Sequence, residues 1–138
     1  MIALDADVIS LVLQGDPVCV ARLAAVPAAD QSLPVVVAAE LFRGRLNVIR
    51  QAEAGRGRVA LGRAFELFQR TLEGIRPLEI LPYTDHADIL FRNWRQQRIR
   101  IGTNDLRIAA VCVAHGATLA TRNQRDFVHV PGLTLEIW

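Results

Sequence analysis

Met1-Ile2-Ala3-Leu4-Asp5-Ala6-Asp7-Val8-Ile9-Ser10 opens the chain: four apolar residues, an acid, a second acid two positions on, then an apolar run. Short apolar segments of this kind read as buried strands, and Ile2–Leu4 is expected to be one, delivering Asp5 to its carboxyl end. Asp7 then falls where a helix begins, as an N-cap or a first-turn acid. A carboxylate at the tip of a central strand is costly unless a cation or hydrogen-bond donors meet it. The reading therefore turns on what else in the chain converges on Asp5.

Beyond this stretch, the spacing predicts short helices over Val8–Leu13 and Val18–Ala25, with Pro17 suited to the start of the second. The β-branched run Leu33-Pro34-Val35-Val36-Val37 reads as a second strand. From Ala38 the pattern turns helical, with Phe42, Leu46 and Ile49 on one face. Gly55-Arg56-Gly57 interrupts it, and Leu61, Ala64, Phe65, Phe68 and Leu72 form a second apolar stripe that Gly74 closes. These two helices are expected to pair as an αα-hairpin. Leu78–Leu81 is a third strand stopped by Pro82, and Thr84 or Asp85 caps a helix that buries Ala87, Leu90, Phe91 and Trp94. Ile101-Gly102-Thr103-Asn104-Asp105 starts another helix, whose stripe is Leu106, Ala109, Ala110 and Val113, and Gly116 stops it. Ala117–Thr121 and Leu133–Ile137 are the fourth and fifth strands, with Arg122–Asp126 a polar loop between them. Strands alternating with helices imply parallel βαβ units and a three-layer α/β/α sandwich. A length of 138 residues suits one domain.

In open parallel sheets, ligands bind beyond the carboxyl ends of the strands. Asp5 ends the first strand, and Glu40 follows the second, in the first turn of the next helix. Asp105 sits near the start of the helix leading into the fourth strand, and Asp126 lies in the loop after it. All four acids map to one sheet edge. Taken singly, each has a structural reading: Glu40 and Asp105 as first-turn acids on a helix dipole, Asp126 as a turn residue, Asp5 as an Asx-turn acceptor. Their joint placement favours a shared role. Converging carboxylates repel and take up protons unless a cation intervenes. Oxygen ligands without histidine or cysteine select Mg²⁺ or Mn²⁺ over zinc, and such an ion suits phosphodiester hydrolysis by an activated water.

Composition narrows the classes. The chain is 51% hydrophobic, yet no apolar run approaches a membrane span of about 20 residues. The first residues lack the basic region and cleavage site of a signal peptide, so a cytoplasmic location is the default. Cys19 and Cys112 lie among apolar neighbours and are expected to be buried thiols. His86, His115 and His129 form no ligand-spaced pair. Net charge is +2, and all 16 basic residues are arginine, which excludes mechanisms that need a lysine. The arginines cluster at Arg43–Arg63 and Arg92–Arg100, either as solvated helical faces or as a nucleic-acid surface.

Four segments, in order, resemble the motifs of PIN-domain ribonucleases, and within them the VapC-type toxins of toxin–antitoxin pairs. They are Leu4–Ser10, Ala39–Gly44 with its Glu four residues before Gly, Ile101–Ala110, and Gly116–Phe127. The resemblance covers nearly the whole chain. It implies a single PIN domain over 1–138, a parallel five-stranded sheet ordered 3-2-1-4-5, and a Mg²⁺-dependent endoribonuclease. It carries the acidic roles onto Asp5, Glu40, Asp105 and Asp126. The main metal falls on Asp5 and Asp105, with Asp126 close or acting through water, and Glu40 completing the shell or orienting the attacking water. Thr121 and Asn123 are implied to supply supporting hydrogen bonds. Asp7, where the family allows Asn, is read as a cap. Ala6 departs from a frequent Thr and Ala120 from a bulkier aliphatic residue; neither touches the acids.

The resemblance also implies a cognate antitoxin whose C-terminal segment lies near the active site, a homodimer within the complex, and RNA as substrate. Phe42, Leu46, Phe65 and Phe68 are either anchors for that segment or ordinary core. Arg95, Arg98 and Arg100 are expected to meet RNA phosphate by charge. Two alternatives stand beside this reading. One is a non-catalytic PIN module that binds RNA or a partner. The other is a haloacid dehalogenase-like phosphatase, which Asp5-Ala6-Asp7 also resembles but which the missing lysine counts against.

Overall fold

Ala3 and Leu4 are fully buried, and the strand they form lies in the middle of the sheet, where both faces must be apolar. A computed structural model describes residues 1–138. Its strands are β1 (Ile2–Leu4), β2 (Gln31–Pro34), β3 (Glu79–Leu81), β4 (Thr118–Thr121) and β5 (Thr134–Ile137). All pairings are parallel, in the order β3-β2-β1-β4-β5, with Ile2 opposite Gln31 and Leu4 opposite Ala120. The expected strand order and the three-layer α/β/α architecture hold. Parallel pairing brings every strand's carboxyl end to one edge, which is what gathers the acids.

The helices are α1 (Ala6–Leu13), α2 (Pro17–Ala25), α3 (Val35–Glu53), α4 (Leu61–Ile75), α5 (Asp85–Gln96), α6 (Thr103–His115) and α7 (Gln124–Phe127). Helix α6 is buried almost all round, through Leu106, Ile108, Ala109, Ala110, Val111 and Cys112, which explains its mild amphipathicity in sequence. Helices α3 and α4 pack together as the expected hairpin, with the Phe42 and Phe68 rings 5.7 Å apart. Both cysteines are free and buried. Thr84, not Asp85, caps α5, accepting from the Ala87 amide at 3.2 Å. No single helix is long and apolar enough to cross a membrane; α1 and α2 together have the composition but are bent by 105°.

Several boundaries differ from the sequence expectation. Val35-Val36-Val37 is not strand but the first turn of α3, so β2 ends at Pro34. The intrinsic strand preference of valine spans only about 1 kcal/mol. Packing overrides it here: Val37 and Ala38 are buried with Leu41 and Phe42 half-buried beside them, a helical face against the core. Glu40 therefore lies in the second turn of its helix, beyond the reach of a first-turn dipole effect. Helix α1 starts at Ala6, so Asp5 is the N-cap and Asp7 is an exposed first-turn acid. Asp126 belongs to the one-turn helix α7, which Phe127 anchors in the core, rather than to a loop. Gly74 does not end α4 but sits inside it, where a Cβ would fall 2.1 Å from the tip of Leu13. The glycine lets α4 approach α1 closely.

Gly116 ends α6 as expected, in the left-handed conformation at φ 64°, with nothing within 4 Å of where a Cβ would sit. Only the backbone penalty separates glycine from alanine there. Gly116→Ala is therefore expected to lower stability by about 1 kcal/mol. Urea denaturation should show a lower midpoint at unchanged slope; an unchanged midpoint would rule out strain at this position.

Candidate active site

Asp5 is only 4% exposed, yet its backbone still belongs to the sheet, since its amide donates to the Ala120 carbonyl at 3.0 Å. Burial of a carboxylate demands donors, and two are supplied. The Ala6 amide donates to Oδ1 at 2.7 Å, and the Thr121 hydroxyl donates to Oδ2 at 2.7 Å. Thr121 is itself fully buried at the end of β4, the strand beside β1, and its Oγ1 accepts from the Asn123 amide at 3.0 Å. The Asn123 side chain turns the other way and donates from Nδ2 to Asp126 Oδ2 at 2.9 Å. One polar chain thus runs from Asp5 through Thr121 and Asn123 to Asp126. The two residues expected to provide hydrogen bonds make them to the acids themselves.

Glu40 and Asp105 reach the same edge from α3 and α6. Asn104 Nδ2 donates to Glu40 Oε1 at 2.8 Å, tying the second helical turn of α3 to the first turn of α6 across 64 residues of sequence. This role for Asn104 was missed by sequence reasoning. The available signal was a second polar residue beside Asp105 at a helix start on the acidic edge. Asp105 is half-buried and has no cation beside it.

Electrostatics confirm that the acids sense one another. The Asp105 carboxyl is pushed up to about 6, first by burial and then by the charges of Asp5, Glu40, Asp126 and Asp7. Asp5 is raised as well: burial outweighs the hydrogen bonds from Thr121 and Ala6, and Asp7 and Glu40 add to it. None of the chain's ion pairs involves these acids; Arg63–Glu66, Arg70–Glu66 and Arg92–Asp88 all lie on the helical surfaces. The edge is an uncompensated negative site.

No three His, Cys, Asp or Glu side chains stand as a ready cage for an ion. The donor set nevertheless fits a hard cation of the Mg²⁺ type, which keeps several waters and needs only one or two carboxylates from the protein. Asp5 and Asp105 are the pair whose mutual repulsion such an ion relieves. Asp7, exposed on α1, and Asp126, held by Asn123, stand within electrostatic range of Asp105.

The surrounding surface sorts the other candidates. Arg95 is engaged internally: its guanidinium donates to the Ile101 carbonyl at 3.1 Å and to Thr103 Oγ1 at 2.8 Å, and it lies over the Phe91 ring. It fastens the turn before α6 and has no carboxylate partner, and Arg98 and Arg100 are exposed. Phe42 and Phe68 are half-buried against each other, while Leu46 and Phe65 are 43% and 51% exposed. Two of the four apolar arm residues are thus packing and two are open. Beside Glu40, a cleft of about 350 Å³ opens between α1 and α3, lined by Ser10, Gln14, Gly44 and Arg45 among others.

Residues 2–133 match the family model of the PIN domain. Ribonuclease VapC1 of Rickettsia felis is 39% identical over 70 residues, which cover 51% of this chain and 52% of that protein. The chain thus spans about half the length of the curated relatives it matches. Among solved structures, VapBC2 from Rickettsia felis bound to a DNA fragment from their promoter superposes with a TM-score of 0.81 at 23% identity, over 100% of this chain and 99% of that one. FitAcB from Neisseria gonorrhoeae superposes with a TM-score of 0.75 at 26% identity, over 98% and 96%.

Proposed function

The chain belongs to the PIN-domain family, and on that premise we propose that residues 1–138 act as one PIN domain, the toxin of a toxin–antitoxin pair and a Mg²⁺-dependent endoribonuclease. The observation that carries this reading is the uncompensated edge where Asp5, Glu40, Asp105 and Asp126 meet without a cation. Asp5 and Asp105 would hold the ion, with Mn²⁺ as a substitute, and Asp126 would assist them. When bound, the ion would supply Lewis acidity and a water of lowered pKa for phosphodiester hydrolysis.

The chain's own residues do the positioning. Thr121 and the Ala6 amide fix the Asp5 carboxylate, so that it does not rotate away from the ion. Asn123 holds Asp126, and Asn104 holds Glu40, which orients the attacking water. Outer partners of this kind are worth about 10- to 100-fold in metal affinity or activity. Asn104→Ala should lower RNA cleavage by about that factor. Titrating Mg²⁺ against cleavage rate checks it, and a wild-type rate at every Mg²⁺ concentration would remove Asn104 from the site.

The likeness to VapBC2 and to ribonuclease VapC1 supports an antitoxin partner. Leu61, Phe65 and Leu72 lie on one face of α4 and are 43%, 51% and 43% exposed, an apolar surface for a partner helix or a second copy of the chain. The direct test incubates purified chain, freed of any antitoxin, with bacterial RNA and Mg²⁺, then adds EDTA. Cleavage that appears with Mg²⁺ and stops with EDTA supports the proposal. No cleavage with Mg²⁺ or Mn²⁺, or cleavage indifferent to EDTA, overturns it.

A further inference from the structure

The cleft beside Glu40 does not end at the acids. On the α1 wall, Ala6, Ser10 and Gln14 follow one another at helical spacing, roughly 12 Å from first to last at 1.5 Å per residue. On the α3 wall stand Glu40, Leu41, Gly44 and Arg45. Gln14 and Arg45 also line a second cleft of about 260 Å³, whose other walls include Arg63, Arg70 and Thr71 of α4. The two therefore form one track, acidic where it meets the catalytic edge and basic where it meets the arm.

Arg45 is built for an anion. Its Nε donates to Thr71 Oγ1 at 3.0 Å, and Thr71, 1% exposed, donates in turn to the Leu67 carbonyl at 3.0 Å. This anchor fixes the guanidinium while its two terminal nitrogens make no hydrogen bond within the chain and have no carboxylate partner. Arg63 and Arg70 share the single acid Glu66, so the basic end carries a net positive charge. A held, unpaired arginine fork suits bidentate phosphate contact. Gly44 leaves the wall open: nothing lies within 4 Å of where its Cβ would be.

We propose that this α1–α3 cleft is the track for single-stranded RNA beside the scissile bond, with Arg45 gripping a backbone phosphate on one side of it. The inference rests on the ribonuclease reading above. A cleft of this volume admits nucleotide-sized groups. At about 3.4 Å per nucleotide for a stacked strand, and more when extended, Arg45 meets a phosphate roughly two to four nucleotides from the reacting one. Ser10 and Gln14 supply neutral donors along the way, and the Arg45 grip, being to backbone phosphate, carries no base preference of its own.

The test measures affinity for a short RNA single strand in EDTA, where hydrolysis that needs a metal does not run, as a function of salt, together with KM and kcat on the same RNA with Mg²⁺. Arg45→Gln is expected to weaken binding about tenfold and to lower the slope of log K against log salt by about 0.7, one phosphate contact. The rise in KM should exceed the fall in kcat. Arg45→Lys should restore the slope but only part of the affinity, because lysine has no Nε–H for Thr71. Gly44→Leu fills the cleft while leaving the Arg45 side chain in the protein, and replaces a helical glycine whose Cβ would meet nothing within 4 Å, so it keeps the fold even if Arg45→Gln does not; it too should weaken binding about tenfold. Arg92→Gln, at an ion pair on α5, serves as the charge control and should bind as wild type.

Wild-type affinity and slope in folded Arg45→Gln and Gly44→Leu proteins would overturn the track while leaving the ribonuclease reading intact. So would release of a bound antitoxin by Gly44→Leu with RNA affinity unchanged, which would make the cleft a peptide site. Wild-type protein that binds the strand through Arg45 but cuts no RNA with any metal would keep the track and remove the hydrolysis.

Discussion

Asp5→Asn should lower RNA cleavage by about 10³-fold or more and leave the protein folded. The size follows from the role: loss of one preorganised charge at a reacting phosphate costs at least what loss of one oxyanion donor costs, about 10²–10³-fold. The fold should survive for a local reason. Asparagine keeps Oδ1 for the Ala6 amide, and the Thr121 hydroxyl, now the donor to Oδ2, can turn to accept from the new amide. The substitution also removes a buried charge that burial and its acidic neighbours already disfavour. Thermal melting beside a cleavage assay separates the two effects. Retained cleavage at an unchanged melting temperature would displace Asp5 from the site. Lost cleavage with a collapsed fold would make its role structural.

Mg²⁺ should stabilise the protein strongly near neutral pH and hardly at all near pH 5. Asp105 titrates at about 6 in the folded chain, above its ordinary 3.8. An acid raised on folding binds its proton more tightly in the native state. The metal-free fold therefore keeps the whole of this contribution below the unfolded value, and loses it as pH rises through about 6. The shift corresponds to at most about 3 kcal/mol, and partial solvent access together with the favourable first-turn dipole reduces it to about 1–2 kcal/mol. Mg²⁺ binds the charged form that this loss leaves behind. At 100 times its dissociation constant it should add about 2.7 kcal/mol. Below pH 6 protons compete for the same carboxylates and the gain fades.

Asp105→Asn should accordingly raise the melting temperature of the metal-free protein at pH 7.5 and abolish the rise on adding Mg²⁺. Scanning calorimetry at the two pH values, with and without Mg²⁺, makes the measurement. A Mg²⁺ effect of equal size at both pH values, or one that survives Asp105→Asn, would place the ion elsewhere. The pattern is that of a functional site held at a cost to stability, in which the acids are tolerated because a ligand completes them.

Much of the scaffold was legible because it rests on local chemistry. The run Ile2–Leu4 followed by an acid, the stripe ending at Gly116, and the alternation of strands with helices each carry a signal within a few residues. The four acids were likewise legible, since in a parallel sheet their positions along the chain fix the edge they reach. The strand order 3-2-1-4-5 came from family resemblance, because periodicity says which segments are strands but not which are neighbours. The three valines of Val35–Val37 satisfy a strand pattern locally, and only burial of Val37 and Ala38 against the core selects the helix.

What the sequence determined alone was the set of elements and the edge to which the acids belong, because hydrophobic spacing and chain direction are properties of short segments. Tertiary structure decided which groups touch. It made Asp5, not Asp7, the cap of the first helix, through the turn the chain takes after β1. It paired Asn104 with Glu40 across 64 positions and Arg45 with Thr71 across 26, contacts that close only when helices pack. Asp5 stands at the middle of the acidic edge because β1 is the central strand, whereas the partners that hold its neighbours in place are set by distances in space, to which separation along the chain gives no guide.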